Sequence, residues 1–174
     1  MELRIAGITK ESVVDGPGLR MVIFTQGCPH RCEGCHNPQT HDPLGGTSTT
    51  TDEMIKMINE AKLIRGITFS GGEPFIQAKP LCEIARAARA RGLNIVTYTG
   101  FVFEELLAMG LRVPTVRELL RLTDILVDGP YRAAERDLNL AFRGSRNQRL
   151  IDVPKSLRLG RTVLWENPEQ KLWA

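Results

Sequence analysis

The 174-residue chain lacks any apolar run near the roughly 18 residues that a membrane span requires. Its start, MELRIAGITKES, has no basic segment followed by a long apolar stretch. These absences give the expectation of a soluble, cytoplasmic protein with no membrane partner. An excess of charge of either sign is also missing: 23 Lys and Arg stand against 20 Asp and Glu, for a net +3. That balance does not suit a protein whose main task is gripping a phosphate backbone, so nucleic acid is not expected as a partner. There is no internal repeat and no low-complexity segment, and the one linker-like stretch is HDPLGGTSTTT, residues 41–51. Cysteines number only 4, and three of them fall within eight residues, which does not suit a disulfide framework. In a reducing compartment such a cluster more often binds metal. With 42% hydrophobic residues, the chain is long enough for one domain with a real core and short for two.

What is present is an alternation of strand and helix patterns. LRMVIFTQ, residues 19–26, reads as a buried strand ending at Gly27. Met54, Met57, Ile58 and Ala61 recur at helical spacing behind Thr50 and Glu53, a capping-box pair, and predict a helix from about Thr51 to Ile64. GITFS leads to Gly71, and a second helix carries Leu81, Ile84, Ala85 and Ala88 and stops near Gly92. LNIVTYT reaches Gly100, one or two helices fill residues 102–122 with Pro114 starting the second, and DILVD reaches Gly129. Apolar strands separated by amphipathic helices imply parallel pairing. In such folds the site lies at the carboxyl ends of the strands, where the cysteine loop, SGGEP, TYTG and VDGP all fall. A complete eight-fold barrel needs about 250 residues. The expected fold is therefore α/β, a single-domain open parallel β/α barrel.

Cys82 sits on the flank of a helical stripe and reads as a small core hydrophobe. Cys28, Cys32 and Cys35 lie in CPHRCEGCHNP, a loop that cannot bury three side chains in a core. His30, His36 and His41 fall in the same segment. One reading is therefore a closed Cys3His site, that of a zinc-binding interaction module. The other is a cubic iron-sulfur cluster in which each cysteine holds one corner iron. The fourth iron is then open to a molecule that binds and reacts there.

The C-x3-C-x2-C spacing resembles that of the radical S-adenosylmethionine enzymes, and SGGEP, from Ser70 to Pro74, resembles their second motif. VDGPGLRMVIFTQGCPHRCEGCHNP, residues 14–38, is similar to the activating enzymes of glycyl-radical enzymes, with Gly16, Gly18, Arg20, Phe24 and Gly27 in register before Cys28. DILVDGPY and AFRGSRNQRLIDV, from Ala141 to Val153, resemble the activators of anaerobic ribonucleoside-triphosphate reductase. Pyruvate formate-lyase activators are similar at the front but considerably longer, and stand as the alternative. The resemblance covers about residues 1–155. It implies a radical S-adenosylmethionine partial-barrel domain over residues 1–154 and an extension over 155–174 whose role is unassigned.

The resemblance implies one 4Fe-4S cluster on Cys28, Cys32 and Cys35, with S-adenosyl-L-methionine chelating the open iron. Its reductive cleavage gives a 5′-deoxyadenosyl radical that takes a hydrogen from the Cα of a glycine in the partner reductase. The cofactors carry the hard chemistry and the protein supplies orientation and exclusion of solvent. Gly71, Gly72 and Glu73 are expected to hold the methionine end of the cosubstrate. Thr99 and Asp128, at strand ends, are expected to reach it, with a turn-stabilising Asp in VDGP as the other reading. Gly34 stands where many of these enzymes have an aromatic residue near adenine, and His36 is a candidate to pack there instead. Asp15 and Arg20 are candidates for meeting the incoming glycine loop, against a surface ion pair. Arg143, Ser145 and Asn147 are assigned either to reductase binding or to shaping the barrel's end. A low-potential donor such as flavodoxin or ferredoxin, and a homodimer associating with a reductase dimer, complete what the resemblance implies. In the tail, Trp165 and Trp173 suggest docking onto this domain or a partner. Replacing Cys28, Cys32 or Cys35 by Ala is expected to abolish 5′-deoxyadenosine formation, measured chromatographically under reducing, oxygen-free conditions; undiminished turnover refutes the ligand role of that residue.

Overall fold

The chain opens with a strand, Glu2–Ser12 (β1), which turns back through residues 13–19 into Arg20–Thr25 (β2). Thr47–Thr50 (β3) runs directly into a helix, Thr51–Glu60 (α1). Gly66–Gly71 (β4), Ala78–Ala90 (α2), Asn94–Tyr98 (β5), Phe103–Gly110 (α3), Pro114–Leu122 (α4) and Ile125–Asp128 (β6) follow in alternation. A loop then leads to Arg149–Asp152 (β7) and Val153–Leu159 (α5). The structure is a computed structural model and describes residues 1–166. Its single sheet has the order β3-β1-β2-β4-β5-β6-β7. The four central strands are parallel and β1, β3 and β7 are antiparallel additions. With β3 and β7 as its outermost strands the sheet does not close, so it is the open partial barrel that the alternation predicted.

The four parallel strands stand where expected, whereas the three antiparallel strands and α5 were not anticipated. In β1 only Leu3, Ile5 and Ser12 are buried, and in β3 no residue is. Edge strands with one solvated face carry too little apolar alternation to be read from sequence. Residues 47–50 of the stretch read as a linker are thus strand. Helix α1 also ends four residues before Ile64. Ala61 leaves the helix at φ −75°, ψ 112°, and the Arg91 side chain donates to the carbonyl oxygens of Ile58 and Ala61. The start of α1 is as expected: Thr50 Oγ1 accepts from Glu53 N–H and the Glu53 carboxylate accepts from Thr50 N–H.

Side chains alternate between two faces of the sheet. Met21, Ile23, Ile67, Phe69, Ile95, Leu126 and Ile151 join the helices in the main core, with Cys82 among them at 2% exposure. Burial pushes the Cys82 thiol up to about 12, as suits a core hydrophobe and not a ligand. The other, concave face carries a smaller cluster of Val96, Ile125 and Val127, covered by Tyr98, Leu150 and Trp165. Residues 163–165 extend the β7 edge: Asp152 N–H bonds Val163 O at 2.9 Å and Trp165 N–H bonds Leu150 O at 2.8 Å. Trp165 therefore docks onto its own domain, while Trp173 lies outside the described residues. Among the described residues no helix is long and apolar enough to cross a membrane.

Arg20 departs most from expectation. It is no surface residue but fully buried, at the amino-terminal end of the parallel strands. Its guanidinium donates to Thr68 Oγ1, Pro17 O, Asn94 Oδ1, Ile67 O and Asn94 O. Burial lowers its pKa to about 10, against the opposing pull of Tyr98, Asp124 and Asp15. The turn before β2 folds over it, and a Cβ on Gly16, at φ +133°, would come within 2.9 Å of Arg20 Nε. Arg20→Leu strips donors from five acceptors on three chain segments, and a buried acceptor left unpaired costs about 1–3 kcal/mol. A loss of at least about 3 kcal/mol is expected from the urea midpoint; a loss below about 1 kcal/mol shows that solvent replaces the guanidinium.

Candidate functional site

The loops that follow β2, β4, β5 and β6 meet at one rim. Cys28, Cys32 and Cys35, Gly71 and Gly72, Thr99 and Gly100, and Gly129 all line a single open cavity of about 240 Å³. All three cysteines are free and half-buried. Around them the loop is fixed by Gly27 N–H to Thr40 O at 2.8 Å, Cys28 N–H to His41 O at 3.3 Å and Cys35 N–H to Cys32 O at 3.2 Å. Burial pushes the Cys28 thiol up, and the backbone N–H groups of His30 and Arg31 directed at its sulfur pull it back. Cys28 is thus a neutral thiol until a metal displaces its proton.

Three soft thiol donors on a rim that also presents the backbone of Gly71, Gly72, Gly100 and Gly129 suit a cluster whose cysteines hold different irons. Among the described residues no three His, Cys, Asp or Glu side chains are gathered to hold a single ion. Nor is any histidine set as a fourth ligand. His30 bonds Glu73 at 2.9 Å, the His36 ring lies 4.6 Å from that of Tyr131, and His41 Nε2 is buried without a partner.

Glu73 does not face the cavity as expected. It is fully buried, and its carboxylate accepts from Phe75 N–H at 3.0 Å, from Thr99 Oγ1 at 2.9 and 3.0 Å, from Gly100 N–H at 2.9 Å and from His30 Nε2. With both oxygens engaged, it holds the loops after β2, β4 and β5 together instead of offering itself to a ligand. Gly71 and Gly72 do line the cavity, yet their freedom from a Cβ serves the protein's own backbone first. A Cβ on Gly71, at φ +92°, would lie 2.8 Å from Phe24 Cα, and one on Gly72 would lie 2.2 Å from Gly27 O. Gly72 N–H bonds Thr25 O and Glu73 N–H bonds Gly27 O, each at 2.8 Å, so the SGGEP turn is laid directly on the start of the cysteine loop.

Thr99 lines the cavity, but its hydroxyl is engaged with Glu73 and Phe101 N–H. Asp128 does not reach the cavity. It is fully buried and accepts from Phe103 N–H at 2.7 Å and from Arg149 at 2.5 and 3.0 Å, which is the turn-stabilising alternative. Arg149 also bonds Glu104, holding that carboxyl down at about 2. Asp15 lines the cavity while Arg20, as described above, is buried at the amino-terminal end of the parallel strands, so the two do not form one substrate-facing pair. The bonds of Arg143, Ser145 and Asn147 stay within residues 130–148: Arg143 to Gln148 O at 2.7 Å, Arg132 N–H to Ser145 Oγ at 3.2 Å, and Asn147 to Pro130 O at 2.8 Å. These contacts hold the loop between β6 and β7 together.

His36 lines the cavity beside Tyr131, and the same ring explains Gly34. At φ +69°, a Cβ there would meet Ala133 Cβ at 3.2 Å and Tyr131 Cε1 at 3.6 Å. Tyr131 occupies the room that an aromatic side chain before Cys35 would need. Tyr131, Tyr98, His30 and Gln148 are lining residues that sequence reasoning missed. The tyrosines stand beside strand-end glycines in TYTG and VDGPY, which was the available signal; Gln148 had none.

Comparison with known proteins adds the lineage of this geometry. Residues 14–151 match the family described as a 4Fe-4S single cluster domain. The anaerobic ribonucleoside-triphosphate reductase-activating protein of Escherichia coli is 33% identical over 144 residues, covering 78% of this chain and 90% of that protein. The pyruvate formate-lyase-activating enzyme of Clostridium pasteurianum is 34% identical over 134 residues, covering 71% of this chain, which spans half the length of that relative. Among solved structures, QueE from Escherichia coli is 19% identical with a TM-score of 0.46, covering 57% of this chain and 53% of that one. Gly72→Ala places a methyl group on Gly27 O, and should lift the SGGEP turn off the cysteine loop with little loss of helix; circular dichroism near that of the parent, with at least about a tenfold drop in bound iron, is expected. Full iron loading shows that the turn tolerates displacement.

Proposed function

Because the chain belongs to the 4Fe-4S single-cluster family of radical S-adenosylmethionine activating enzymes, we propose that it installs a glycyl radical on anaerobic ribonucleoside-triphosphate reductase. The observation that carries this reading is the convergence of three half-buried thiols with the glycine-rich ends of four parallel strands on one cavity. When bound, the cluster supplies one electron and S-adenosylmethionine supplies the 5′-deoxyadenosyl radical that removes the glycine Cα hydrogen.

Cys28, Cys32 and Cys35 would hold the cluster. The backbone of Gly71 and Gly72 would lie along the methionine end of the cosubstrate, with Glu73 behind them as the brace of that wall. Thr99 would do the same from the end of β5, and Asp128 would fix the VDGP turn by pairing with Arg149. His36 and Tyr131 form the aromatic wall suited to adenine. Asp15 remains the charged group facing the cavity, while Arg20 supports the turn that presents it. Arg143, Ser145 and Asn147 would set the shape of the loop that the reductase meets.

A glycine is a reasonable target, since a radical at its Cα is shared between the flanking amides and no side chain forces it out of plane. The unclosed sheet leaves room for a loosened segment of another protein to enter, and that protein would then exclude solvent. The reductase is preferred over pyruvate formate-lyase because DILVDGPY and AFRGSRNQRLIDV, which resemble the reductase's activators, form the loop and strands beside the cavity. A flavodoxin or ferredoxin as electron donor, and assembly as a dimer on a reductase dimer, belong to the same proposal. Reduced, cluster-loaded protein incubated without oxygen with S-adenosylmethionine and the reductase should give the glycyl doublet in electron paramagnetic resonance. A doublet with pyruvate formate-lyase alone overturns the partner, and a colourless protein saturated by zinc overturns the activity.

A further inference from the structure

His30 is the side chain that ties the cysteine loop to the sheet's rim. Its Nε2 lies 2.9 Å from Glu73 Oε2, on a carboxylate that is itself fully buried and already held by groups after β4 and β5. The ring is enclosed on two further sides. Its centroid is 4.5 Å from that of Phe101 in an edge-on contact, and a Cβ on Gly100 would come within 2.3 Å of His30 Cδ2. Hydrogen bond, aromatic edge and glycine backbone together leave the ring a single position. That position lies two residues after Cys28 and two before Cys32, in the loop between the Cys28 N–H and Cys35 N–H bonds, and His30 itself lines the cavity.

We infer that His30 is a positioning residue, whose ring, bonded to Glu73 and seated against Gly100, fixes the Cys28–Cys32 arc relative to the SGGEP turn. The inference rests on the reading of the cavity as a cluster and S-adenosylmethionine site, and adds to it how the two halves of that site are kept in register. The backbone supplies the link. The N–H groups of His30 and Arg31 are directed at the Cys28 sulfur, so a fixed ring also fixes donors to a cluster ligand. Hydrogen bonds to cluster sulfurs raise the reduction potential, because they favour the more negative state. Glu73 thus holds the wall on one side and, through His30, the metal-binding arc on the other.

Three variants separate positioning from general support. His30→Ala removes the bond, His30→Gln keeps an N–H donor toward Glu73, and Gly100→Ala crowds the ring out while leaving His30 in place. In the cluster-loaded protein, His30→Ala and Gly100→Ala should weaken S-adenosylmethionine binding about tenfold, lower the cluster's reduction potential and diminish the change that S-adenosylmethionine causes in the reduced cluster's paramagnetic resonance spectrum. His30→Gln should restore all three in large part. In the metal-free protein, the Gly100 and Cys28 amides should exchange with solvent at least about tenfold faster in His30→Ala than in the parent, and close to the parental rate in His30→Gln. Parental potential, spectrum and affinity in His30→Ala overturn the inference even if its thermal stability falls, because only a structural role then remains. The exchange measurement reads the latch without any cluster, so a parent protein that takes up no cluster, which defeats the reading of the site, still leaves the latch supported by fast exchange or overturned by parental exchange.

Discussion

The burial of one carboxylate organises the working end of this molecule. Glu73 lies at the point where the turn after β4 passes under the cysteine loop and beside the end of β5, and it is out of contact with solvent. A buried carboxylate is tolerated only with its oxygens occupied, and here the donors come from three separate segments: Phe75 N–H, the Thr99 hydroxyl with Gly100 N–H, and His30. None of these segments can shift alone without leaving charge unpaired. The glycines around it follow from the same constraint, because Gly71, Gly72 and Gly100 each lie where a Cβ would strike a neighbouring backbone or ring.

At the opposite end of the parallel strands a buried cation plays the corresponding part. Arg20 spreads its donors over Pro17, Ile67, Thr68 and Asn94, binding the first three central strands and the preceding turn from below. Between the two charged groups the sheet is apolar on its helix side, and on its concave side it is sealed by Val96, Ile125 and Val127 beneath Tyr98 and Trp165. Buried hydrogen bonding is thus concentrated at the two ends of the strands, and apolar packing along the helix-covered face. The cavity lies at the carboxyl ends of the four parallel strands.

Legibility in the sequence followed the kind of information each feature carries. The central strands, the helices between them and the core role of Cys82 were readable because burial on one or both faces imposes a periodicity that local composition records. The cysteine triad was readable because a fixed spacing of one uncommon residue type has few physical explanations. The antiparallel strands escaped, since half-solvated edges such as TSTT leave almost no apolar signature. Arg20 and Glu73 were read as groups facing a ligand, and Asp128 as either that or a turn-stabilising residue, yet all three are buried in bonds to the protein itself. Charge in a sequence says that a partner is needed, and not whether that partner is a substrate or the chain's own backbone.

The sequence by itself determined the parallel α/β order, the loop that carries three thiols and the strand-end glycines, because each is written in a local pattern that needs no distant residue to interpret it. Only the tertiary structure decided which way the polar residues of those loops turn. His30 meets Glu73 across 43 positions of sequence, and Arg20 meets Asn94 across 74. Pairings at that separation arise from the way the strands are laid side by side, where a hydrogen bond denied to water is regained from a neighbour that sequence proximity does not reveal.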